Sequence, residues 1–215
     1  MIRVSAASDG REAAVIKVYH APLSRSVRVV WLLEELGLPY ELQSAPLEPP
    51  GPKPFAQKTP TGKVPTIEDD GTTMFESGAI VEYVLEKYGE GRLAPPVGSA
   101  LRGPFLQWVH FADATAFTGL GNIAWHTRFK EDAERVADAL ADYARWAEAS
   151  LDALERNLEG RNFLLGAEFT GADVAVGYSV LVAKALGLVG EQHPAVDAYL
   201  ARLTERPALR RALQV

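Results

Sequence analysis

The chain has no cysteine in its 215 residues, which excludes disulfides, thiolate metal ligands and a protein thiol nucleophile. Any thiol chemistry must use a thiol carried by a small molecule. Histidine is scarce as well. His20, His110, His126 and His193 stand apart without ligand spacing, so no metal is expected. A basic excess is also missing. The net charge is −6 with acids and bases interspersed, so nucleic acid is not an expected partner. No apolar run reaches the length of a membrane span, and "MIRVSAASDGREAA" lacks the unbroken apolar stretch of a secretory leader. The expectation is a cytoplasmic protein without membrane association.

What is present suits a globular core. Hydrophobic residues make up 47% of the chain, enough for one large domain or two small ones. Residues 1–14 read as a flexible N-terminal extension. "AVIKVY" then reads as a strand, and Val29, Leu32, Leu33 and Leu36 repeat with helical spacing up to Gly37. "LPYELQ" offers a second strand, and the Pro-rich "PLEPPGPKPF" continues neither element. "VPTIEDDGTTMFE" predicts a hairpin turning at Asp70-Gly71. Ser77 opens a helix whose apolar face is Ile80, Val81, Val84, Leu85 and Tyr88.

Strand signals stop at the Gly- and Pro-rich segment near 90–100, which reads as a linker. The predicted organisation is therefore an α/β domain over 15–89 and an all-helical domain over 101–215. In the second part, Leu140, Ala144, Ala147, Leu151, Leu154 and Leu158 mark one face of a long helix. "ADVAVGYSVLVAKALGL" is apolar nearly all round, as a central helix is. Thr170 and Asp173 have capping-box spacing and are read as folding residues.

These pieces resemble the glutathione transferase family from about Lys17 onward. The resemblance rests on "SRSVRVVWLLEELGLPYEL", "TPTGKVPTIEDDGTTMFESGAIVEYVLEKY", "FTGADVAV" and "HPAVDAYLARLTERPALRRAL". It implies a thioredoxin-like N-terminal domain that binds glutathione, followed by an all-helical C-terminal domain. It also implies a homodimer, with glutathione as co-substrate and a small hydrophobic electrophile as the second substrate.

The resemblance assigns roles to particular residues. Val64-Pro65 matches the dipeptide whose cis bond lets the backbone before proline pair with the cysteinyl part of glutathione. On the dipeptide alone, an ordinary trans proline at a strand start is the better reading, and the context "TGKVPTIEDDG" reverses it. Glu76 and Ser77 match the clamp on the γ-glutamyl group, Ser77 for the α-carboxylate and Glu76 for the ammonium. A plain helix cap is the other reading. Lys63 stands where relatives carry a cation near the glycyl carboxylate.

Making the thiol reactive at neutral pH requires stabilising a thiolate whose acid has a pKa near 8.5. A hydroxyl donor, a helix N-terminus and a guanidinium would each help. The corner Ala21–Arg28 holds all three kinds of group. Ala21 stands where some relatives keep an activating serine, and Ser24 matches the cysteine of beta-like bacterial members. Ser24 is thus the first candidate for the catalytic donor, with Arg25 as electrostatic support and Tyr19 behind them. Ser24 as a helix cap only is the alternative. The resemblance implies a transferase that conjugates glutathione to electrophiles in detoxification. Peroxidase, disulfide reductase, dehalogenase and isomerase chemistry use the same thiolate, and a non-catalytic binding protein is a further reading.

Overall fold

A computed structural model describes residues 2–4, 15–48, 53–129 and 137–215. The chain forms two compact units, Met1–Arg92 with Arg206–Val215, and Leu93–Glu205.

The first unit is built on a five-stranded sheet of β1 (Ile2–Val4), β2 (Ile16–His20), β3 (Tyr40–Ser44), β4 (Thr66–Asp69) and β5 (Thr72–Phe75). The strand order is β1-β3-β2-β4-β5. Helix α1 (Ser26–Leu36) is the crossover that parallel β2 and β3 require, and the other pairings are antiparallel. Its apolar positions Val29, Leu32, Leu33 and Leu36 are buried as the spacing predicts. Leu38 N–H bonds the Leu33 carbonyl just past Gly37 and closes the helix end. Asp70 and Gly71 both take positive φ, 47° and 77°, which is the turn chemistry of a tight hairpin between β4 and β5. Helix α2 (Ser77–Tyr88) then buries Ile80, Val81, Val84 and Leu85. Tyr88 instead sends its hydroxyl to Asp69 at 2.7 Å. The arrangement is the thioredoxin-like α/β domain that the sequence predicts.

Two features of this unit differ from the sequence reading. Ile2–Val4, expected as flexible, pairs antiparallel with β3, Ile2 opposite Leu42 and Val4 opposite Tyr40. A β-branched pair flanking Arg3 suits an edge strand. Residues 5–14 of the expected extension lie outside the described residues. Second, α8 (Pro207–Ala212), expected in the helical domain, belongs to the first unit. It packs on α1, where Arg206 makes two bonds to the Glu35 carboxylate at 2.6 and 2.7 Å, and Arg211 pairs with Glu34. Complementary charge and the buried Ala208, Leu209 and Ala212 draw it there.

The second unit begins at Leu93, inside the predicted linker, and is helical as expected. Helix α3 (Arg102–His110) runs through a π-helical turn, Phe111–Ala116, into α4 (Phe117–Phe129). Helix α5 (Ala137–Leu158) buries Ala147, Leu151, Leu154 and Leu158, while Leu140 and Ala144 are half-buried. Helix α6 (Gly171–Ala185) is buried without a break from Gly171 to Val180. Helix α7 (Pro194–Thr204) follows, and its first turn is capped by Glu155 through Ala195 and Val196 N–H at 2.9 Å each.

The capping box at the start of α6 is present and is larger than the spacing alone suggests. Asp173 accepts from Thr170 N–H at 2.8 Å, Thr170 Oγ1 at 2.9 Å, Leu164 N–H at 2.9 Å and the Tyr199 hydroxyl at 3.1 Å. Burial pushes its carboxyl above the usual range against these four donors.

Candidate functional site

Within the first unit, one cavity of about 110 Å³ gathers most of the residues that the sequence singles out. Its wall comprises Arg25, Thr61, Lys63, Val64, Pro65, Phe75, Glu76 and Ser77. Four separate stretches of chain converge here, the start of α1, the loop before β4, the end of β5 and the start of α2.

The Val64–Pro65 peptide bond is cis. Val64 is fixed from behind by a buried apolar cluster of Tyr19, Ala21, Ala45 and Phe55. Glu76 and Ser77 sit where β5 turns into α2. Glu76 adopts φ 74°, a region a non-glycine residue rarely occupies, and its side chain makes no bond that caps the helix. Backbone of this kind clusters at ligand clamps. Ser77 is 1% exposed and accepts from Nη1 of Arg28 at 3.0 Å. Lys63 and Glu76 are exposed, so the cavity wall carries charge of both signs beside a buried hydroxyl.

Arg25 occupies the position just before α1. Ser24, the first candidate for the catalytic donor, is not part of the cavity wall. It is 8% exposed, and its Oγ lies 2.8 Å from the Ala21 carbonyl oxygen and 2.6 Å from Ser26 Oγ and accepts from Ser26 N–H at 3.2 Å. Ser26 Oγ in turn lies 2.9 Å from His20 Nδ1, and His20 Nε2 meets the Val215 carbonyl at 2.9 Å. That carbonyl can only accept, so Nε2 carries the imidazole hydrogen and Nδ1 accepts from Ser26. Ser26 has then used its one hydrogen, and Ser24 supplies the hydrogen of the short Ser24–Ser26 contact or the one to Ala21. Either way the Ser24 hydroxyl points into the corner. Burial lowers the His20 pKa, more than the Val215 hydrogen bond raises it, which keeps the ring neutral.

Tyr19 also faces elsewhere. Its hydroxyl donates to Glu68 Oε1 at 2.5 Å, and its ring packs edge-on against Phe55 at 5.2 Å. Burial and the Glu68 bond push its hydroxyl above the usual range. The Tyr19 bond and Lys17 hold the Glu68 carboxyl below its own range. Tyr19 supports the strand beside Val64 and is not in the cavity wall. Thr61 and Phe75 are, although the sequence reading passed over both. The sequence does place Phe75, an aromatic residue, directly before Glu76-Ser77, and the structure leaves it 40% exposed at the end of β5.

Among the described residues, no cluster of His, Asp or Glu could hold a metal, and no helix is long and apolar enough to cross a membrane.

Comparison with known proteins agrees with this fold. The family model for the glutathione S-transferase N-terminal domain matches residues 18–92, and that for the C-terminal domain matches residues 123–202. A glutathione S-transferase-like protein from Beauveria bassiana is 31% identical over 209 residues, covering 91% of this chain and 93% of that protein. A glutathione transferase from Burkholderia graminis, solved with two glutathione molecules per subunit, is 31% identical. It superposes with a TM-score of 0.77 over 94% of this chain and 88% of its own. A Phanerochaete chrysosporium glutathione transferase in complex with oxidized glutathione is 26% identical, with a TM-score of 0.79 over 94% of this chain and 96% of its own.

Proposed function

Because this chain belongs to the glutathione S-transferase family, we propose that it binds glutathione in the cavity beside Val64 and transfers its thiolate to small hydrophobic electrophiles. The observation that carries the reading is the convergence of Lys63, cis Val64-Pro65, Glu76 and Ser77 on one cavity with Arg25.

In this reading the Val64 backbone pairs with the cysteinyl residue. Ser77 and the N-terminus of α2 receive the γ-glutamyl α-carboxylate, Glu76 its ammonium, and Lys63 the glycyl carboxylate. Arg25 supplies positive charge for the thiolate, since its guanidinium cannot deprotonate. Ser24 holds the corner in shape through Ala21 and Ser26. The thiol proton leaves to solvent, sulfur attacks the electrophilic carbon, and the leaving group departs with its bonding electrons. A detoxifying role, a cytoplasmic location and a homodimer belong to the same proposal, by analogy with the family.

The test is glutathione affinity by calorimetry together with turnover of chlorodinitrobenzene. Binding with turnover is expected. Undetectable glutathione binding would refute the reading, and binding without turnover would favour a non-catalytic binding protein.

A second reading has its own support in the Burkholderia graminis and Phanerochaete chrysosporium relatives, solved with two glutathiones per subunit and with oxidized glutathione. Here bound glutathione thiolate attacks a disulfide sulfur, forms a mixed disulfide and expels the other half as a thiolate. Faster turnover of hydroxyethyl disulfide than of chlorodinitrobenzene would select this reaction.

A further inference from the structure

His20 is the last residue of β2, is fully buried, and has both ring nitrogens engaged. Nε2 donates to the Val215 carbonyl and Nδ1 accepts from Ser26 Oγ, at 2.9 Å each. A hydrocarbon side chain would fill this space at less cost, because a buried imidazole must have its polar atoms paired. The Ser26 oxygen also accepts from Ala21 N–H at 3.1 Å, across the corner. Ala21 packs in the cluster behind Val64, and Ser26 directly follows Arg25 at the start of α1. One hydroxyl therefore ties the helix end that carries Arg25 to the strand end that backs Val64. Both of those residues line the cavity.

We propose that His20 is a positioning residue: held by the Val215 carbonyl, it directs the Ser26 hydroxyl and so keeps Arg25 in place for the thiolate. The inference rests on the glutathione reading above. Val215 acts through the tautomer. Its carbonyl fixes the imidazole hydrogen on Nε2 and leaves Nδ1 as the acceptor that Ser26 needs. With the hydrogen on Nδ1 instead, Ser26 would lose that acceptor, and Nε2 would face the carbonyl oxygen lone pair to lone pair. The Ser24 hydroxyl is not required for this hold, since Ser26 already has an acceptor for its hydrogen and Ala21 N–H as a donor to its oxygen. Arg25 carries its charge on a long side chain. A small rotation of the first turn of α1 therefore displaces the guanidinium further than the backbone, and supporting hydrogen bonds prevent that rotation.

The experiment follows the thiolate absorbance of bound glutathione against pH, with glutathione saturating so that affinity does not enter. In the wild-type chain the bound thiol is expected below its free pKa of about 8.5. His20→Leu, which removes both bonds, should raise it by about 0.5–1 unit, the share supplied by Arg25. His20→Gln should do the same, because its amide reaches the Val215 carbonyl in place of Nε2 but leaves Ser26 without an acceptor. His20→Asn should stay close to wild type, because its amide oxygen takes the place of Nδ1 and has no tautomer to fix. In an Arg25→Leu background, His20→Leu should add nothing, since the effect passes through Arg25. A purely structural role would lower the urea midpoint of His20→Leu and leave the bound-thiol pKa where it was, and that result overturns the proposal. So does an additive shift in the double variant, or a full shift in His20→Asn. Should His20→Leu fail to fold, Ser26→Ala decides, since it cuts the same link at the hydroxyl. A raised thiol pKa supports the proposal, and an unchanged one refutes it. If the wild-type chain binds no glutathione, the functional reading falls and the inference with it. Bound glutathione whose lowered thiol pKa is unchanged in His20→Leu removes the inference alone.

Discussion

Replacing Asp173 by alanine tests how the helical unit is held together. The carboxylate is fully buried and receives four hydrogen bonds, two from backbone N–H groups and two from hydroxyls. A helix cap alone would cost about 1 kcal/mol to remove. Here the loss is larger. The N–H groups of Leu164 and Thr170 are left buried without an acceptor, at about 1–3 kcal/mol each, while the hydroxyls of Thr170 and Tyr199 can turn towards other acceptors. The expected destabilisation of Asp173→Ala is therefore about 3–5 kcal/mol, a large fraction of an ordinary domain's stability. Asp173→Asn keeps one accepting oxygen but presents an amide hydrogen where a donor already points, and should lose about half as much. Urea unfolding followed by fluorescence of Trp108, Trp125 and Trp146 in this unit reads both variants. A loss below about 1 kcal/mol for the alanine variant would refute the argument, because it would mean that water or neighbouring groups replace all four bonds.

Three further outcomes are expected. Removing the Ser24 hydroxyl in Ser24→Ala should leave the bound-thiol pKa nearly unchanged, whereas Arg25→Leu should raise it by about 0.5–1 unit, the effect of a half-buried charge partly screened by solvent. Thiolate absorbance against pH checks both, and a larger shift in Ser24→Ala would return the donor role to Ser24. His20 has a pKa lowered by burial, so its contribution to stability is complete above about pH 6.5. That contribution falls as the pH drops through the window between the unfolded and folded values, because the unfolded chain binds the extra proton. An NMR titration placing the His20 ring at or above its ordinary pKa would refute this. Arg206→Met removes two charge-assisted bonds to the nearly buried Glu35 and should cost about 2–3 kcal/mol, with earlier proteolysis at α8. Unchanged protease resistance would count against a docking role for Arg206.

Much of the fold is legible because its signals are local. Gly37 ends α1, Asp70-Gly71 turns the hairpin, and Thr170 with Asp173 starts α6, each within a few residues of the chain. The candidate clamp is legible only through resemblance, since Val64-Pro65 and Glu76-Ser77 have ordinary readings when taken singly. Other features depend on partners far along the chain or on the direction of a hydrogen. The Ser24 hydroxyl is oriented by Ala21, Ser26 and His20, and no spacing rule fixes which way it points. Arg28 looks in the sequence like any helix cation, and nothing in its spacing announces the bond to Ser77, 49 residues away. The return of α8 depends on Arg206 meeting Glu35 across 171 residues.

That return affects how the protein is made. N-terminal domains ordinarily fold first during synthesis. Here Glu34, Glu35 and His20 wait for Arg211, Arg206 and Val215, which a ribosome adds after the whole of the helical unit. The helical unit, continuous from Leu93 to Glu205, has all of its chain earlier. The α/β unit of the nascent protein is therefore completed after the helical unit, although its first ninety residues are made before it.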